Sequence, residues 1–146
     1  MGNRRDAREL ALQALYQVDM AAGEDPGRSL AVFWAHFPRE DEVERFAREL
    51  VAGVLERRER IDALIAECAE HWRLPRLSRV DLSLLRLATF ELLGRADIPP
   101  SVTINEAVEI ARRFGSEDSA AFVNGVLDAI ATTLGVKARE RREQAE

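Results

Sequence analysis

The stretch VDLSLLRLATFELLG, residues 80 to 94, constrains the fold more than any other part of the chain. Leu82, Leu84, Leu85, Leu87, Ala88, Phe90, Leu92 and Leu93 point in nearly every direction around a helix, so almost no side is left for water. Such a helix must be enclosed by other elements, which makes it a central strut. The walls can come from the same chain, because hydrophobic residues make up 47% of its 146 positions. Leu, Ala, Glu and Arg dominate while β-branched residues are sparse and aromatics reach only 6%, a composition that favours helix over strand. The expectation is an all-α bundle without a sheet.

The apolar spacing divides the chain into helices. Asn3 can cap the first, whose buried side carries Ala7, Ala11, Ala14 and Val18, widened by Leu10, Leu12 and Leu15. An exposed strip is expected to hold Arg5, Arg8, Leu12 and Tyr16 at helical spacing. EDPG then turns the chain, and Ser29 opens a short helix with Leu30, Phe33, Trp34 and Phe37 in the core, ended by Pro38. A helix from Glu40 carries Val43, Phe46, Leu50 and Val54; it bends in the charged run 56 to 60 and continues through Ile61, Leu64, Ile65, Cys68 and Trp72.

Pro75, in RLPRL, marks the boundary between two lobes sharing a core, residues 1–75 and 76–135, followed by a charged, flexible tail at 136–146. Ser78 and Asp81 form a capping-box-like pair before the central strut, and Gly94 is placed to close it with a left-handed cap. ADIPPS reads as extended. Thr103 and Glu106 make a second capping box, Gly115 ends that helix, Ser116 caps the last one and Gly135 closes it. The sum is about seven helices.

Several functions are disfavoured. No apolar run is long enough to span a bilayer, and the charged start MGNRRDAREL does not suit a signal peptide, so a cytoplasmic protein without a membrane partner is expected. The single cysteine, Cys68, falls on an apolar stripe as a structural thiol, and with only His36 and His71 beside it no zinc set is expected. No phosphate loop, HExxH or GxSxG occurs; no enzyme activity, cofactor or metal is expected. A net charge of −5 argues against indiscriminate coating of nucleic acid, yet leaves room for a local basic patch at NRRDAR or KARERR, the latter expected as a solvated terminus.

Asn124-Gly125 is the odd feature. It sits inside a regular helical run, where glycine costs about 1 kcal/mol relative to alanine. A missing side chain there permits close approach of the backbone, either by another helix or by an external ligand. Asn124 offers donors and an acceptor to a base edge or to a neighbouring loop.

Taken together, RRDARELALQALYQ, LLRLATFELL, INEAVEIARRFG (104 to 115) and FVNGVLD (122 to 128) resemble the NusB family of bacterial transcription antitermination factors, in the right order from Arg4 to about Ile130. The resemblance implies two helical lobes without enzymatic activity. It further implies binding of boxA RNA from ribosomal RNA leaders, pairing with NusE, a small-subunit ribosomal protein, and assembly with RNA polymerase and other Nus factors. In that role Arg4, Arg5 and Arg8 would contact phosphates, Tyr16 and Phe122 would meet bases, and Asn124 would read polar edges.

Phe122 also suits the core. By resemblance Asp118 tunes RNA affinity, the alternative being a plain helix-dipole acid; Asp81 meets a basic residue of NusE, the alternative being a capping role alone. Asp6 and Ala120-Ala121 stand where the family has more positive charge, which makes joint binding with NusE more important. Two rivals remain. NusB-like domains also begin RNA cytosine methyltransferases, against which the length of this chain counts, and an Arg/Tyr surface could instead support a homodimer.

Overall fold

The computed structural model describes residues 3–69 and 77–145. Among them lie eight helices and no strand: α1 (Asn3–Met20), α2 (Pro26–His36), α3 (Asp41–Glu56), α4 (Arg58–Cys68), α5 (Arg79–Gly94), α6 (Pro100–Phe114), α7 (Ser119–Leu134) and α8 (Val136–Ala145). The expected all-α fold holds, with one helix more than predicted. That helix is α8, where a solvated tail was expected. Glu140 accepts a hydrogen bond from the Ser101 hydroxyl at 2.6 Å, and Lys137 pairs with Asp128. The expected lobe boundary lies outside the described residues except for Leu77, as do His71, Trp72 and Pro75.

As its pattern requires, α5 is the strut: it packs against α1, α3, α4, α6 and α7. Every residue from Ser83 to Leu92 is buried; the Ser83 and Thr89 hydroxyls have no hydrogen-bond partner among the described residues, whereas the charged side chains pair inside the bundle. Arg86 reaches Asp62 with Nε at 2.8 Å and Asp19 with Nη1 at 3.0 Å, tying α5 to α4 and α1. Glu91 does the same toward α1 and α6, as described below. On α3, Gly53 lets that helix approach α5 closely, since a Cβ there would overlap the Phe90 ring.

Several predicted ends are displaced. Gly94 is the last residue of α5, and the cap is Arg95 at φ −124°, its N–H bonded to the Glu91 carbonyl. No left-handed residue is needed there; Gly135, at φ +72°, does close α7 that way. α2 begins at Pro26, with the Asp25 carboxylate accepting from the Arg28 N–H, so Ser29 lies within the helix. Phe33 and Trp34 are buried, whereas Phe37 is 42% exposed and stacks on Phe33.

Similarly, α6 starts at Pro100, three residues before the expected cap. A proline is tolerated in a first turn because its missing N–H would have no helical partner. Thr103 and Glu106 are thereby inside the helix and free for tertiary bonds. At α7 the cap is Asp118 rather than Ser116, and it is the Ser119 hydroxyl that accepts from the Ser116 N–H, at 2.9 Å.

Candidate nucleic-acid interface

Helix α1 begins with three arginines that the fold treats differently. Arg8 is 4% exposed. Its Nε and Nη2 donate to the two carboxylate oxygens of Glu91, each at 2.8 Å, and Glu91 also accepts from the Thr103 hydroxyl at 3.1 Å. The expected exposed strip is corrected accordingly: Arg8 and Leu12 point into the bundle because α5 offers a buried carboxylate and an apolar wall there. Only Arg5 and Tyr16, the latter 39% exposed, remain at the surface.

Arg5 lies over α6. It donates to Glu106 through Nε at 3.1 Å and Nη2 at 2.5 Å, while Arg8 Nη1 stands 3.7 Å from the same carboxylate. The hydrogen bond and charge of Arg5 hold the Glu106 carboxyl below its ordinary range, and Glu106 raises the Arg5 guanidinium in turn. A cleft of about 260 Å³ at the α1 start is lined by Asn3, Asp6, Glu9 and Arg39 among others; another, of about 250 Å³, is lined by Arg5, Glu9, Glu109, Ile110, Arg112 and Arg113. Arg113 bonds Glu9 at 3.0 Å across it.

Arg4 is exposed and lies over the Phe46 ring of α3 at 4.4 Å, with Arg95 on the same ring at 5.1 Å. These two and Asn3, Glu42, Arg45 and Glu49 surround a cleft of about 430 Å³. Arg95 also pairs with Asp97, which holds that carboxyl down at about 2 through the hydrogen bond. Neither Phe46 nor Arg95 stood out in the sequence as a neighbour of Arg4. Arg112 and Arg113 were visible in ARRFG, but nothing local signals that they lie across from residues 5 and 9.

Three further predicted residues gather at the other end of α5, and Asn124 is not among them. Asp81, Asp118 and Phe122 line one cleft of about 250 Å³ with Leu77, Ser78, Ser116 and Ser119. Asp81 is 9% exposed; its N–H donates to the Ser78 hydroxyl at 3.0 Å, but its Oδ1 has no hydrogen-bond partner. The cap is thus made by Ser78 alone. Phe122 is half-buried, packing against the core while also lining this cleft.

Asn124 and Gly125 are exposed on α7, and a Cβ at Gly125 would meet nothing within 4 Å. Close packing by another helix of this chain is therefore not the reason for the glycine. Arg5 and Arg8 of α1 pair with Glu106 of α6, Arg113 of α6 pairs with Glu9 of α1, and α6 packs directly on α7. Among the described residues no group of three His, Cys, Asp or Glu is placed to hold a metal ion, and no single helix is long and apolar enough to cross a membrane.

The fold and these clefts define a class: an all-α recognition protein with arginines at one helix start and an unpartnered carboxylate at the base of its strut. Residues 5–132 match the NusB family model. A transcription antitermination protein NusB of Geobacter sulfurreducens is 53% identical over 134 residues, covering 92% of this chain and 97% of that protein. The solved T. maritima NusB is 43% identical with a TM-score of 0.78, covering 88% of this chain and 90% of that one. A chain in the crystal structure of antitermination factors NusB and NusE in complex with dsRNA is 30% identical with a TM-score of 0.77, covering 91% and 98%. The chain belongs to the NusB family.

Proposed function

We propose that this chain is a transcription antitermination factor that binds the boxA RNA of ribosomal RNA leaders together with NusE, in the cytoplasm, and joins the RNA polymerase antitermination complex with other Nus factors. The similar chain crystallised with NusE and double-stranded RNA supports the choice of partners. The observation that carries the reading on this chain is the contrast between its two ends: exposed arginines at the start of α1, and an unpartnered, buried carboxylate at the start of α5.

Arg4 and Arg5 contact RNA phosphates, and Tyr16, Phe122 and Asn124 meet the bases. Arg8, locked to Glu91, serves by holding α1 in place. Asp81 takes a basic side chain of NusE: it lines an open cleft with Asp118 and Phe122, and the carboxylate Oδ1 has no hydrogen-bond partner within the chain. Asp118, in the same cleft, opposes phosphate and sets RNA affinity. With a net charge of −5 and no cation at Asp6, Ala120 or Ala121, tight RNA binding requires NusE. The two lobes proposed from the sequence each supply one part of this surface.

A titration of labelled boxA RNA at fixed salt, with and without NusE, tests the reading. Binding that tightens when NusE is added supports it, and no binding under either condition refutes it. Asp81→Ala is expected to lose NusE affinity selectively while α5 keeps its helix, since Ser78 still caps it.

A further inference from the structure

Glu106 stands between two guanidiniums that differ in freedom. Arg5 grips it with two nitrogens, but the Arg5 side chain is 46% exposed and that of Glu106 20%. Arg8 is fastened to Glu91 by Nε and Nη2, which leaves Nη1 facing Glu106 at 3.7 Å. The two ion pairs therefore respond differently to a competing anion. A half-exposed pair contributes little to stability and opens readily, whereas parting a buried one strands a charge away from water.

We infer that Glu106 is a positioning residue for RNA: it parks Arg5 in the free protein and releases it to a phosphate, while Arg8 stays on Glu91 and supplies the charge that Glu106 then lacks. Glu106 thus sets the orientation of Arg5 at a cost in affinity. Because Arg8 remains nearby, the carboxylate is not left isolated after the exchange. The inference rests on the RNA-binding reading above and assigns to that surface a residue that never touches RNA itself.

The test is a titration of labelled boxA RNA, at fixed salt and with saturating NusE, into the full-length wild type, Glu106→Gln, Arg5→Ala and the double variant. Glu106→Gln is expected to bind about two- to fivefold more tightly, as the modest strength of exposed ion pairs allows. Arg5→Ala should weaken binding, and adding Glu106→Gln to it should restore nothing. An equal gain in the Arg5→Ala background would mean simple loss of a repelling charge and overturns the inference, as does unchanged or weaker binding by folded Glu106→Gln. Should that variant not fold, the wild type decides: on RNA addition the Arg5 Nε–H NMR signal should move while that of Arg8 stays, and the reverse overturns it. Absence of RNA binding by wild type refutes the functional reading itself, which is a different outcome from binding without the exchange.

Discussion

Replacing Arg8 by alanine separates a strut from an RNA contact. In the wild type the Arg8 side chain is 5% exposed and that of Glu91 is 2% exposed, joined by two hydrogen bonds of 2.8 Å. Removing the guanidinium leaves the Glu91 carboxylate buried, with the Thr103 hydroxyl as its remaining donor. Stranding one partner of a buried pair costs about 3–5 kcal/mol, a large share of the roughly 5–15 kcal/mol typical of a domain. At about 2–4 °C per kcal/mol for a chain of this size, the midpoint should drop by roughly 10 °C. Arg8→Met with Glu91→Leu removes both charges and keeps the volume filled, and should recover most of the loss. Urea denaturation and thermal melting of the wild type, both singles and the double measure the coupling directly. An Arg8→Ala protein within about 1 kcal/mol of wild type that nevertheless loses RNA binding would refute the buried assignment.

Three further outcomes are expected. Both Glu106 and Asp97 have depressed carboxyls, so their stabilising effect is complete above the ordinary values of 4.5 and 3.8 and is lost as pH falls, for Asp97 down to about 2. NMR titration of the two side-chain carboxyls should accordingly give midpoints below those ordinary values, and ordinary midpoints would deny the coupling. Gly125→Ala should stabilise the protein by about 0.5–1 kcal/mol, since the added methyl meets nothing within 4 Å, yet weaken binding of whatever approaches α7. A variant that is more stable and binds RNA and NusE as before would remove the close-approach explanation. Asp118→Asn should tighten boxA binding at fixed salt, measured by titration, and equal or weaker binding would contradict its tuning role.

Much of the scaffold is legible from apolar spacing. The strut at 79–94 is recognisable because eight hydrophobic positions leave it no wet side, and the bend near Arg57 shows as a lapse in that spacing. Helix ends are less legible. A capping box is a local pattern, and Thr103 and Glu106 satisfy it in sequence while their side chains are used elsewhere. Pro100 started the helix earlier because position N1 has no N–H to lose.

For the site, local sequence determined which residue types were present: a run of arginines, a glycine in a helix, and carboxylates at two helix starts. Only the tertiary structure decided what each could do. Arg5 and Arg8 are chemically identical and three positions apart, yet Arg5 stays half-exposed on partly buried Glu106 while Arg8 meets buried Glu91, 83 residues distant along the chain. Spacing along one helix specifies a direction in space but not what waits there, and for a charged side chain it is the partner and its burial that determine whether the charge is available.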